Sequence, residues 1–227
     1  MMTHYFILFL IPMLLGLWAQ MRVKSAFGKW SKYQASSNMT GADAAHAVLE
    51  AAQIKDVEVV AIDGMLGDHY DPTHKRLCLS PGVYDSPSVA AVGIAAHEAG
   101  HAIQHARAYG PLHLRMALVP ITMFASQILP FVILGGFFFQ LFGLIKIGFW
   151  CYLILAAFQL ITLPVEFDAS RRAKVVLGHL GIVRTEEEAV GVNKVLNAAA
   201  LTYVAAFVAA LGNLIHLWLL TQGGRRD

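Results

Sequence analysis

The sequence contains few charged residues. Asp, Glu, Lys and Arg make up 14% of its 227 residues, whereas 57% are hydrophobic, and the mean hydropathy is +0.56. So apolar a composition excludes an ordinary soluble domain and is typical of a membrane protein. The formal net charge is only +2, and the basic residues are scattered beside apolar segments. We therefore expect no nucleic-acid partner.

Cysteine is also scarce, and two common motifs are missing. Cys78 lies in a polar segment and Cys151 in an apolar one, which argues against a disulfide framework. No Cys-x-x-Cys pair is present, so a zinc ion would have to be held by histidine and carboxylate. The sequence Gly-x-x-x-x-Gly-Lys-Ser/Thr is absent too, which excludes a membrane protease driven by its own nucleotide-binding module.

The apolar segments predict four membrane-spanning helices. Residues 4–21 form the first; no Lys or Arg precedes this segment, so we expect a retained helix rather than a cleaved signal peptide. Residues 114–164 are long enough for two spans, with a break near Gly135–Gly136 or Gly143. Residues 198–220 form the fourth.

Two polar segments, 22–112 and 165–197, separate these spans. An even number of crossings between them places both on the same side of the membrane. Lys and Arg near the span ends are more numerous on that side, so the positive-inside bias predicts a cytoplasmic location in the cell membrane. Within 22–112 we expect α+β structure: a capping signal at 40–43, a helix over 44–52 and strands at 57–62, 66–70 and 75–79.

The motif His-Glu-Ala-Gly-His spans residues 97–101, within a predicted helix over 87–108. Residues four apart on a helix project from one face, so His97 and His101 can bind one metal ion. Glu98 lies between them and can take a proton from a water molecule at the metal. Ser86-Pro87 is the expected start of the helix.

A catalytic zinc ion usually takes a third protein ligand and leaves one position for water. His105 continues the spacing of the pair, but it lies about 12 Å along the helix from His97 and cannot reach the same ion. Glu166 is favoured, because it opens a predicted helix on the correct side of the membrane in an acid-poor stretch. Asp168 and His179 remain alternatives, and a solvated carboxylate at a helix start is the plainer explanation of Glu166.

Other residues are candidates for supporting roles. Ser170 lies one turn after Glu166 and could orient its carboxylate, while Asp168 can pair with neighbouring arginines. His105 is a further candidate for a contact around the metal ligands. The strand containing Leu77, Cys78 and Leu79 precedes the metal-binding helix and could hold the backbone of an extended peptide substrate.

Three segments together resemble the YugP-type neutral zinc metallopeptidases, which are bacterial membrane proteins. They are Ala95-Ala-His-Glu-Ala-Gly-His-Ala-Ile-Gln-His105, Arg76-Leu-Cys-Leu-Ser-Pro-Gly-Val-Tyr84 and Leu163-Pro-Val-Glu-Phe-Asp-Ala-Ser-Arg-Arg-Ala173. The third is also similar to the Glu-x-x-Ala-Asp segment of the membrane heat-shock and prenyl-protein proteases. That similarity implies that Glu166 is the third zinc ligand, although Ser170 stands where those enzymes have Asp.

We therefore expect a mainly α membrane protein with about four transmembrane helices and a small α+β, zincin-like catalytic domain. Its expected function is that of a gluzincin-like metalloprotease, which uses one Zn²⁺ per chain to hydrolyse peptide bonds of membrane or membrane-proximal proteins. The alternative is a non-catalytic scaffold or chaperone-like factor with a structural metal. A protease that cuts within the bilayer is disfavoured, because the His-Glu-x-x-His helix lies in a polar segment.

Overall fold

The computed structural model of the chain describes residues 2–64 and 67–223. The chain is mainly helical, with one small sheet. Its elements in chain order are α1 (Met2–Trp30), α2 (Gly41–Ala51), β1 (Glu58–Ala61), β2 (His69–Asp71), β3 (Arg76–Leu79), α3 (Pro81–Tyr84), α4 (Val89–Ala106), α5 (Gly110–Phe138), α6 (Phe142–His179) and α7 (Glu186–Gly223). The predicted strand from residue 66 begins outside the described residues, and its remainder forms β2.

The chain divides into two compact units, and four helices contribute to both: α1, α5 (by its first three residues only), α6 and α7. One contains the described residues within 1–19, 113–163 and 201–227, and we call it the apolar unit. The other contains those within 20–112 and 164–200, and we call it the polar unit.

The apolar unit consists of helix segments with many large hydrophobic side chains on their outer surface. Phe131 and Phe138, for example, are 77% and 81% exposed, which suits lipid rather than water as the surrounding medium. Among the described residues, three helices are long and apolar enough to cross a membrane: 110–138, 143–179 and 186–222. The fourth predicted span, at the N-terminus, stays a prediction.

The break between the two central spans differs from the expectation. It lies at residues 139–141, so Gly135 and Gly136 remain inside α5 and Gly143 inside α6. A Cβ atom on Gly136 would come within 3.1 Å of Ile145. Gly135 and Gly136 therefore allow close packing of α5 against α6, and none of the three glycines ends a helix.

The polar unit is built around α4. Ser88 is the N-cap of this helix, and its side chain accepts a hydrogen bond from the backbone N–H of Ala91; the predicted start at Ser86-Pro87 is therefore two residues early. Fourteen of the 18 residues of α4 are buried, many of them alanines that allow α2 to pack closely. The predicted capping box at Thr40 and Asp43 opens α2.

The sheet has the strand order β1-β3-β2. β1 pairs with β3 in parallel, with Val59 opposite Leu77, and β2 pairs with β3 antiparallel, with Tyr70 opposite Leu77. β3 is thus the central strand. β2 is an edge strand, and it contacts α4.

The polar stretch after the third span does not begin a new helix. α6 runs without a break through Pro164 to His179, so Glu166 lies inside a long helix. The prediction of a helix start at this point is wrong. After α6, Gly181 has a φ of +63°, and Thr185 and Glu188 form the predicted capping box before α7.

Candidate metal centre

Helix α4 presents the two histidines of the motif side by side. The ring centroids of His97 and His101 are 4.8 Å apart, and the ring planes are inclined by 81°. His101 is buried and His97 half-buried. Such a pair on one helical face leaves the Nε2 atoms free to converge on a common point.

Glu166 of α6 completes a group of three possible ligands. Its Oε2 atom lies 3.3 Å from Nε2 of His97 and 3.6 Å from Nε2 of His101, and the donor atoms of all three residues lie within 4.8 Å of one another. Ligands bound tetrahedrally at 2.0–2.1 Å from a zinc ion are about 3.3–3.4 Å apart. The spacing and the two-nitrogen, one-carboxylate donor set therefore fit zinc.

The electrostatics at this point favour a positive charge. Burial lowers the pKa of His101, but the hydrogen bond to Glu166 and the charges of Glu98 and Glu166 raise it more, so the net pKa lies above the ordinary 6.5. Glu166 itself is only 2% exposed. A buried carboxylate requires a cationic partner, which a metal ion at this position would supply.

Helices α4 and α6 approach closely beside these ligands. A Cβ atom on Gly100 would lie 2.8 Å from the backbone oxygen of Ala169, a separation too short for an unstrained contact. Gly100 is the fourth residue of the His-Glu-Ala-Gly-His motif, and Ala169 follows Glu166 by about one turn. Because Gly100 has no side chain, the two ligand-bearing helices can approach this closely.

Each histidine is also held at its second ring nitrogen. Nδ1 of His97 lies 3.1 Å from Oγ of Ser170, and Nδ1 of His101 lies 3.0 Å from Oε1 of Gln104. Such contacts fix the ring orientation and direct Nε2 toward the metal position. Ser170 thus supports His97, whereas the sequence had led us to expect it to orient Glu166.

Gln104 was missed by the sequence analysis, and it connects the two ligand-bearing helices. It is fully buried, and its Nε2 donates to the backbone oxygen of Val165 at 2.8 Å and to Oδ2 of Asp168 at 3.0 Å. Asp168 also pairs with Arg171 and Arg172. These partners hold the carboxylate of Asp168 away from the metal position. Asp168 still supports His101 indirectly, because it accepts a hydrogen bond from Gln104, which contacts His101.

Glu98 lies beside the ligands and is 9% exposed. Its Oε2 atom accepts a hydrogen bond of 3.1 Å from the backbone N–H of Tyr70 in β2. Burial raises the pKa of Glu98, although the nearby His97 and His101 act in the opposite direction. A carboxylate with a raised pKa can accept and release a proton near neutral pH.

The other candidates lie outside the group of three. His105 contacts the hydroxyl of Tyr70, with 2.8 Å between Oη and Nδ1. Partial burial raises the pKa of Tyr70 to about 12, so this hydroxyl stays protonated. His179 is the exposed last residue of α6. It lies about 20 Å along the helix from Glu166.

The predicted substrate strand has no open edge. Leu77, Cys78 and Leu79 belong to β3, which is paired with β1 on one side and β2 on the other. Our prediction that these residues hold the substrate backbone is therefore wrong. The strand that both borders Glu98 and lies at the sheet edge is β2.

Comparisons with known proteins agree with the motif. The chain matches the protein family described as "Putative neutral zinc metallopeptidase" over residues 5–222. A protein of Bacillus subtilis (strain 168) named "Putative membrane protease YugP" is 46% identical over 213 residues, which cover 94% of either chain. No solved structure matches the chain significantly. The resemblance to the neutral zinc metallopeptidases is thus confirmed.

Proposed function

The chain belongs to the neutral zinc metallopeptidase family, and on that premise we propose that it is a membrane-embedded, zinc-dependent metalloendopeptidase. The observation that carries the proposal is the convergence of Nε2 of His97, Nε2 of His101 and Oε2 of Glu166 beside the buried Glu98. A structural zinc site is normally closed by four protein ligands, whereas a catalytic one has three. The three-residue group therefore favours catalysis over a scaffold.

His97, His101 and Glu166 would hold the zinc ion. When bound, zinc supplies a Lewis acid that polarises the substrate carbonyl and makes water a better nucleophile. Glu98 would accept a proton at its carboxylate from the water molecule that attacks the peptide carbonyl, and would deliver that proton to the leaving amine as the C–N bond breaks. The backbone N–H of Tyr70 fixes the carboxylate of Glu98 in position for both transfers.

We assign the substrate backbone to the outer edge of β2. The strand is hydrogen-bonded to β3 along one side only. On the other side the N–H of Tyr70 is bonded to Glu98, which leaves the carbonyl of Tyr70 to accept a hydrogen bond from an added peptide. An extended peptide added at this edge would run past the general base. Strand addition of this kind recognises the peptide through its backbone hydrogen bonds. It suits an endopeptidase that acts on extended segments of membrane or membrane-proximal proteins.

The experiment that tests this function compares wild-type protein with Glu98→Gln, both purified in detergent and loaded with zinc. The amide keeps the shape of the side chain but cannot take the proton, so hydrolysis of a casein-type substrate should fall by about 10²–10⁴-fold. The zinc content should stay unchanged. Equal hydrolysis by both proteins at equal zinc content would refute the role of Glu98, and absence of hydrolysis by zinc-loaded wild type would favour the scaffold.

A further inference from the structure

A second site is suggested by a cavity of about 210 Å³ in the polar unit, far along the chain from the motif residues. It lies between the C-terminal third of α1 and the N-terminal third of α7. Its charged lining residues are Arg22, Lys29 and Lys194, and Ser25 and Trp30 also line it. We call it the basic cavity.

The charge of the basic cavity is of one sign. Three cations line it, and none of its described lining residues is acidic. The ammonium group of Lys29 lies 5.0 Å from the ring centroid of Trp30, another lining residue. A concavity whose charged described lining residues are all cationic favours an anionic ligand.

The cavity lies where two helices pass into their apolar segments. Arg22 follows Ala19, the last residue of α1 in the apolar unit, by three residues, and Ala198 of the cavity wall precedes Leu201, where α7 enters that unit, by three. Three residues of helix correspond to about 4.5 Å. Arg22 thus lies at a depth where Arg and Lys are typical of the membrane–water interface and of lipid headgroups.

We infer that the basic cavity binds the phosphate of an anionic phospholipid. Arg22, Lys29 and Lys194 neutralise the phosphate, and the hydroxyl of Ser25 can donate one hydrogen bond to it. A lipid bound here would have its headgroup in the cavity. The inference does not depend on the proposed peptidase activity.

The test measures lipid binding to the full-length protein in a neutral detergent by native mass spectrometry. Phosphatidylglycerol should bind, and uncharged phosphatidylcholine should bind much more weakly. Each of Arg22→Gln, Lys29→Gln and Lys194→Gln should weaken phosphatidylglycerol binding about five-fold, since one interfacial cation contributes about that factor. The triple variant should show the combined loss.

The matched controls are Lys24→Gln and Lys32→Gln. They remove the same charge from exposed positions near the end of α1 that do not line the cavity, and they should leave binding unchanged. Zinc content and the melting temperature report the fold of each variant, and the single variants keep the test valid if the triple variant does not fold.

Three results would overturn the inference. They are equal losses in the cavity variants and the controls, equal binding of the two lipids, and binding of inorganic phosphate as tight as that of phosphatidylglycerol. The last would mean that the cavity takes a free anion and that the acyl chains contribute nothing.

Discussion

Both histidines of the candidate metal centre are fixed at Nδ1 by a polar side chain. Ser170 holds His97 from the opposite helix, and Gln104 holds His101 from the same helix. The histidine pair is recognisable in the sequence because both ligands lie on one helix at a known spacing. Ser170 belongs to a distant segment, and the partner of its hydroxyl depends on how α4 and α6 pack, which local spacing does not determine.

Removal of these contacts should weaken zinc binding without abolishing it. We expect Ser170→Ala and Gln104→Ala each to reduce zinc affinity about 10–100-fold, because the freed ring can rotate away from the metal position. Competition with a chromophoric chelator measures the affinity. Ser126→Ala is a suitable control, since the Ser126 hydroxyl donates to the backbone oxygen of Met123 in its own helix, α5. Unchanged affinity in both site variants would contradict the assigned contacts.

Zinc binding should depend on pH in a defined direction. The net pKa of His101 in the metal-free site is raised above the ordinary 6.5, and zinc binds only the neutral ring. Protons therefore compete with zinc at neutral pH, and affinity should increase as pH rises from 6 to 8. Isothermal titration in two buffers of different ionisation enthalpy measures the proton release. A pH-independent affinity would be inconsistent with this competition.

At the scale of secondary-structure elements, the metal centre depends on the crossing of α4 and α6. Gly100→Ala adds a methyl group 2.8 Å from the Ala169 carbonyl, and overpacking of this kind costs about 1–3 kcal/mol. Since the displaced helices carry different ligands, zinc should be lost more readily than the fold. Zinc content and the melting temperature are the measurements.

Gly93→Ala provides the matched control on the same helix. Its added methyl group would meet Val192 at 3.4 Å, an ordinary van der Waals contact. Its zinc content should equal that of wild type. If Gly100→Ala also bound zinc normally, the close approach at Ala169 would not determine the ligand geometry.

The elements themselves were predictable to different degrees. The motif helix, the short strands and both capping boxes follow local patterns of hydrophobicity and turn residues, and the structure contains them. The central position of β3 in the sheet cannot be predicted from the local sequence. A strand shows the same alternation of side chains between its two faces whichever strands it pairs with, so the pattern does not reveal that β3 pairs with both β1 and β2. Pro164 likewise suggests a helix boundary, yet α6 continues through it.

At the scale of the whole molecule, the bias of basic residues predicts that the polar unit lies on the cytoplasmic side of the membrane. The 139–141 connection should then face the outside, and the start of α7 should face the cytoplasm. The reason is that Lys and Arg near the ends of membrane spans are retained on the cytoplasmic side. Gln140→Cys and Glu186→Cys, in a background without Cys78 and Cys151, report the two sides. In intact cells a membrane-impermeant thiol reagent should label only Gln140→Cys.

Permeabilised cells provide the control for this labelling, since both cysteines should then react. Both native positions are exposed, so a difference in intact cells reflects the membrane and not burial. Labelling of Glu186→Cys alone in intact cells would reverse the assigned orientation. It would place the candidate metal centre outside the cytoplasm.

The central claim is that one zinc ion is bound by residues from two segments about 65 residues apart in the chain, and metal analysis of Glu166→Ala tests it most directly. Wild type, Glu98→Gln and the exposed-site control Glu187→Ala should each contain about one zinc ion per chain. Glu166→Ala should retain less than about a tenth of it while remaining folded by circular dichroism. Full zinc content in folded Glu166→Ala would contradict the account.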